Sequence, residues 1–388
     1  MLVSSSCPDP AVVTLPKPEV PATLLGSWQA VHDRLAVDLA RANPAGGAVY
    51  AYCVHQAFGT AATRIWAQQR AARLAAQPWP EPGRRWTLPQ LDQACALAWL
   101  AAHFSAAGLP PICAAGQLAE FDCQLFQQAQ AALADFQPRA RGLLVRVIRY
   151  LTLRLPAATA ARYLPLLVAQ WPQMPPEEPV LLGLDGSAAE LGALLRLYQA
   201  GLHHPTLQAR LRQGIQELLA SRRAVDFQQQ HYAIFPYERA IPGHAARFSA
   251  ELTWERGDLV QSWVLYEAQA VLRDTELAHI AELVGLSTLL RTSEPATTIT
   301  SGWFYDGAAG VAQRYAQLYH ASGLPAFRAA YQTWLSRTQE LVPSLVATAP
   351  AVLNPTTERG CLSELVGVGL VLLAAVKSLK VDWEALAT

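Results

Sequence analysis

The chain has 388 residues, of which 52% are hydrophobic and 15% charged. An average soluble domain carries about 25% charged residues, so this composition favours one large body over several small ones. Thirty basic residues balance thirty acidic ones; with no basic excess to track a phosphate backbone, nucleic acid is not an expected partner.

Residues 1–21 are rich in Ser, Pro and Val and read as a flexible amino-terminal tail, and 22–388 as a single domain. The start carries no basic residue followed by an apolar run, so no secretory signal is read and cytoplasmic residence is expected. A small-residue helix start followed by a long amphipathic helix recurs near Ala57, Cys95, Arg139, Ser187, Gly257, Gly307 and Glu364. His203 and His204 precede Pro205 in a solvated hairpin turn, and His231 and His244 flank the loop that leads to Trp254. Asp258 follows Gly257 at a helix start, where a carboxylate is favoured by the helix dipole. Ala296 to Ile299 reads as a short extended loop.

From Gly307, the apolar residues Val311, Tyr315, Leu318 and Tyr319 recur at three- and four-residue intervals, the spacing of one buried helix face. Gly323 and Pro325 end that helix, and a second begins near Phe327 with Tyr331, Trp334 and Leu335 on its inner side. The apolar run Leu365 to Val376, between Glu364 and Lys377, falls short of the roughly 20 residues that span a bilayer and reads as a buried core helix. No membrane span is expected.

No sustained alternation supports a sheet, so the predicted fold is all-α. Repetition at this period implies stacked helix pairs, because no single hairpin buries its own apolar face. The small residues Ala308, Ala309 and Gly310 favour closure into a ring, an α/α toroid (double-layered helical barrel) of about seven helical hairpins. The cysteines at 7, 53, 95, 113, 123 and 361 form no Cys-x-x-Cys pair and read as buried reduced thiols.

Three segments carry a family resemblance. They read Trp254-Glu255-Arg256-Gly257-Asp258-Leu259, then Phe304-Tyr305-Asp306-Gly307-Ala308-Ala309-Gly310, then Leu362-Ser363-Glu364-Leu365-Val366-Gly367-Val368-Gly369-Leu370. They resemble the final three repeats of the lanthionine synthetase C-like (lanthipeptide cyclase) family, where the first is usually Trp-Cys-Tyr-Gly-Asp-Leu and the second contains Cys-His-Gly. The resemblance implies a helical toroid. It also implies a family chemistry in which those two cysteines and the histidine hold zinc, which activates a substrate thiolate for addition to dehydroalanine or dehydrobutyrine. Zinc serves that step because it lowers the thiol pKa and keeps one coordination position open.

Laid onto this chain, the three ligand positions are Glu255, Tyr305 and Asp306. None is a soft ligand, and tyrosine, with a pKa of about 10, is a rare one. Glu251 stands where the family usually has Arg, Arg256 where it has Tyr, and Gly186 where it has the His of Gly-Leu-Ala-His-Gly; Asp135 alone is expected to survive. The resemblance therefore implies a degenerate member with no metal site and no zinc cofactor. Glu251, Trp254, Glu255, Arg256, Trp303, Tyr305 and Asp306 are expected to line one cavity.

That cluster reads in three ways. Arg256 neutralises the carboxylates in a packed ion-pair network, or the cavity binds a peptide side chain, or Glu255 and Asp306 form an acid and base pair of the kind used in glycoside hydrolysis. Trp254 and Trp303 read first as core anchors. The expected function is a non-catalytic subunit of lanthipeptide biosynthesis that binds a precursor peptide or a partner dehydratase. The alternatives are an active cyclase with a remodelled or metal-free site, and a carboxylate-pair hydrolase built on Glu255 and Asp306; across these readings the candidate catalytic residues are Glu255, Asp306 and Asp135.

Overall fold

Two kinds of helix alternate along the chain. Helices that are apolar on all sides can only be stable when enclosed, whereas those with one apolar stripe cover a core from outside. The computed structural model describes residues 21–38, 44–114, 116–134, 140–155, 157–171, 181–226, 232–352, 362, 365–377, 379 and 382–386. Asp135, Arg139, His231, Glu364, Cys7 and Cys361 lie outside them.

The enclosed set is α2 (Pro44–Phe58), α4 (Leu88–Ala106), α6 (Ala140–Leu153), α8 (Ser187–Gln199), α10 (Asp258–Leu272), α13 (Ala308–Ser322) and α15 (Leu365–Lys377). Every residue from Ala45 to Val54 of α2 is buried, as is every residue from Leu365 to Leu373 of α15. The covering set is α1 (Ala22–Asp38), α3 (Ala61–Ala75), α5 (Gln117–Ala134), α7 (Ala158–Gln170), α9 (Pro205–Ala220), α11 (Thr275–Thr288) and α14 (Pro325–Val352), with a short α12 (Glu294–Thr297) between α11 and α13. In α9 only Leu207, Leu211, Ile215 and Leu218 are buried, one stripe at helical spacing.

Packing closes the inner set into a ring. α2 packs on α4, α4 on α6, α6 on α8, α8 on α10, α10 on α13, α13 on α15, and α15 back on α2. Each outer helix backs its neighbours, and α1 meets both α15 and α14 where the ring closes. The result is an all-helical toroid, and among the described residues there are isolated β-bridges but no strand. No helix there is long and apolar enough to cross a membrane.

Two of the expected helix starts are corrected. Ala57 lies at the end of α2 and Cys95 in the middle of α4. The true starts are the Pro44-Ala45-Gly46-Gly47 segment and the Thr87 capping box, in which Thr87 and Gln90 satisfy each other's backbone N–H groups. Ala296 to Ile299 is likewise not an extended loop: Pro295 in the first turn lets α12 form, and Thr298 ends it at φ 61°. The α13–α14 hairpin follows the sequence expectation, with Gly323 in the left-handed conformation closing α13 and Pro325 opening α14. Cys53 and Cys95 are buried thiols, while Cys113 and Cys123 are only partly covered.

The inner helices begin at close quarters. A Cβ on Gly310 would overlap the Phe304 carbonyl and press on the Trp254 side chain. Gly310→Ala is expected to destabilise the chain by about 1–3 kcal/mol, the cost of overpacking a site whose nearest atoms are backbone; a chemical-denaturation midpoint checks it.

Candidate functional site

The amino-terminal ends of α8, α10 and α13 are reached by three loops, 181–187, 251–257 and 301–307, and backbone bonds stitch them together. Leu184 N–H donates to the Glu255 carbonyl at 2.8 Å, and Trp254 N–H donates to the Tyr305 carbonyl at 3.1 Å. Gly257 turns the chain into α10 at φ 85°, a conformation a side chain rarely adopts, with the Glu251 carbonyl pressed against the place a Cβ would take. Phe304 packs tilted against Trp254 with ring centroids 4.7 Å apart and meets Tyr305 edge-on.

This brings the sequence-selected residues to one end of the ring. Trp254 is fully buried and Tyr305 is 5% exposed, so both anchor the core, while Glu251, Glu255, Trp303 and Asp306 are half-buried and Arg256 is exposed. Arg256 has a carboxylate partner outside the sequence-selected set. Its guanidinium donates to the Asp185 carboxylate from Nε at 3.1 Å and Nη2 at 2.8 Å. Glu255 and Glu251 act on it through charge. Burial alone would lower the Arg256 pKa, but Asp185, then Glu255 and Glu251, outweigh that and raise it. Asp185 was not singled out from the sequence; it lies 71 residues from Arg256 and meets it only through the 181–187 loop.

Two further charged residues hold this end of the ring. Arg314, on α13, is completely buried, donates to the Trp254 carbonyl from Nε at 3.1 Å and from Nη2 at 2.9 Å, and lies 3.6 Å above the Trp254 ring. Asp258 is not only a helix-start anion: it accepts the backbone N–H groups of Ile234 at 3.0 Å and Phe235 at 2.9 Å and pairs with the buried Arg291. His204 caps α9 through Nδ1, and His244 is exposed in a turn where its backbone pairs with Ile241.

A 3-10 turn, Trp383–Leu386, packs under Phe304, with the Trp383 ring 5.6 Å from it. Burial, then the neighbouring Asp382, push the Glu384 carboxyl up to about 7 from 4.5, against a hydrogen bond from Gln313. Through charge, Glu384 acts in turn on Arg196, Arg314 and Cys53, and Asp382 on Arg196. A raised carboxyl pKa means the folded state binds more protons than the unfolded one. Its stabilisation is thus complete below pH 4.5 and lost as pH rises through about 7. Measured against Glu384→Gln, which removes the titration, the native chain is expected to lose relative thermal stability between pH 5 and pH 8.

The residues at the three implied ligand positions do not fit zinc. Glu255, Tyr305 and Asp306 offer hard oxygens, Tyr305 is packed against Phe304, and a Zn–thiolate centre requires soft donors. Among the described residues no group of three or more His, Cys, Asp or Glu side chains could hold a metal ion.

Among the described residues, a closed ring of seven inner helices with loops gathered at one end defines the class of fold. Within it, the solved structure of nisin cyclase superposes with a TM-score of 0.65 at 11% sequence identity, covering 94% of this chain and 96% of that chain. The chain has that fold. No protein-family model matches the sequence, and no curated protein matches it.

Proposed function

We propose that this chain is a lanthionine synthetase C-like protein of lanthipeptide biosynthesis that has exchanged zinc-dependent cyclisation for binding. It works in the cytoplasm and holds a precursor peptide, or a dehydratase that carries one, against the loop face of the ring. One observation carries the reading. In a fold shared with nisin cyclase, an Asp185–Arg256 ion pair ties the loop that carries Glu255 to the 181–187 loop, and Glu255, Tyr305 and Asp306 are the residues that the sequence resemblance aligns with the family's thiolates and imidazole. Glu251 and Glu255 give that face carboxylates suited to a basic or polar peptide side chain, and the partly exposed ion pair offers further polar contacts.

The test has three readings. Purified protein should contain far less than one zinc per chain by elemental analysis. A dehydrated precursor peptide should lose no free thiol beyond a no-protein control, and the same peptide should bind. Replacing Glu251 and Glu255 together by Gln should weaken that binding about tenfold, or 1.4 kcal/mol. Stoichiometric zinc, accelerated thiol loss, or binding indifferent to both substitutions would each reject the reading.

A further inference from the structure

The end of the ring away from the loop face carries a cleft. α8 and α10 run about 20 Å from the loop face to their carboxyl ends, where a cavity of about 560 Å³ opens between them and the start of α9. Val271 and Leu272 give it a half-buried apolar wall, and Tyr198 meets His203 edge-on there with ring centroids 4.4 Å apart. Its size lies within the roughly 300–1,000 Å³ of small-molecule sites.

Polar side chains converge on this cleft with their donors unspent. Arg273, His203 and Gln208 make no side-chain hydrogen bond or ion pair with the described residues. The carboxylates on the same stretch of chain are engaged elsewhere: Glu267 accepts from the Gln199 amide at 2.7 Å, and Asp274 accepts from the Glu276 backbone N–H at 3.0 Å. Arg273 is also held against its backbone preference. It closes α10 at φ 55°, the left-handed conformation in which helix ends usually take glycine. Glycine there would relieve the backbone but would remove the one permanent cation that lines the cleft.

We propose that the cleft is a binding site for a small apolar molecule bearing one carboxylate, either a free aromatic acid or the carboxyl end of a short peptide. Arg273 pairs with the carboxylate, and Gln208 and a His203 ring N–H donate beside it. The Tyr198 ring, with Val271 and Leu272, covers the apolar body. The site lies at the opposite ends of α8 and α10 from the loop face and does not depend on the function proposed there.

Calorimetric titration of the full chain uses 3-phenylpropionate and N-acetylphenylalanine as probes, with 3-phenylpropanol as the uncharged control. At least one acid is expected to bind once per chain with a Kd of about 1 mM or below, and the alcohol at least about tenfold more weakly. Tighter binding of N-acetylphenylalanine would assign the cleft to peptide ends, and tighter binding of 3-phenylpropionate to free acids. Arg273→Gln should weaken the acid at least about tenfold and leave the alcohol unchanged. Arg273→Gly separates binding from structure: it should raise the denaturation midpoint, because the backbone strain is gone, yet weaken the acid as much as Arg273→Gln does. The proposal is overturned by the absence of saturable binding of either acid, by an alcohol that binds as tightly as the acids, or by acid affinity indifferent to both substitutions.

Discussion

Asp258→Ala is expected to destabilise the chain by about 3–5 kcal/mol, the range seen when one partner of a buried ion pair is removed. Arg291 is buried with it and donates to two carbonyls besides, Ala250 at 3.1 Å and Tyr232 at 2.7 Å. Those contacts would remain, but the guanidinium would keep its charge with no anion beside it. Two backbone donors, on Ile234 and Phe235, would lose their acceptor at the same moment. Asp258→Asn should cost less, because the amide oxygen can still accept one of those bonds. Combining Asp258→Ala with Arg291→Met should recover much of the loss, since the isolated charge is then gone. Denaturant midpoints for the three variants check this, with unchanged slopes showing that the folded state is otherwise intact. A single replacement as mild as a surface substitution would mean that this pair does not hold the 232–257 segment to α10.

The contrast between legible and hidden features follows from distance along the chain and from phase. The α13–α14 hairpin was legible because Val311, Tyr315 and Leu318 mark a face and Gly323 and Pro325 mark its ends. The starts of α2 and α4 were displaced because helices buried on every side carry no phase: from Ala45 to Val54 every position is covered, so no stripe shows where the helix begins. The convergence of Trp254 and Tyr305 came from the family resemblance alone, since nothing local links segments that far apart. The Arg256–Asp185 pair joins residues 71 apart, and the Trp99–Asp382 bond residues 283 apart. No local pattern encodes either one. In the 383–386 turn the local signal is Trp383 between two acidic residues in a chain with 15% charged residues, a composition that suits a buried, polar-anchored turn.

Arg314 offered a similar signal, a cation between Val311 and Tyr315 on a face that is otherwise buried, and its removal is the second large effect expected. A charged group's hydrogen bonds contribute about 1.5–3 kcal/mol and a desolvated cation–π contact about 2 kcal/mol. Arg314 makes two bonds to the Trp254 carbonyl and one to Gln317 at 2.8 Å, between the Trp254 ring at 3.6 Å and the Trp263 ring at 4.7 Å. Against these stands the cost of keeping a guanidinium out of water, which also pushes its pKa down. Arg314→Ala is therefore expected to cost about 3 kcal/mol net. Arg314→Lys should fall between the two, because a single ammonium can reach the carbonyl but cannot span it as the planar fork does or stack between two indoles. The local consequence separates this from a general loss of stability. With its carbonyl released, Trp254 no longer fixes the 253–256 loop, and the amides of Trp254 and Leu184, whose acceptors are Tyr305 and Glu255, should exchange hydrogen faster than amides in α2 or α15. Uniform acceleration throughout the ring would instead place Arg314 in the core alone, with no particular hold on the loop face where the peptide is proposed to bind.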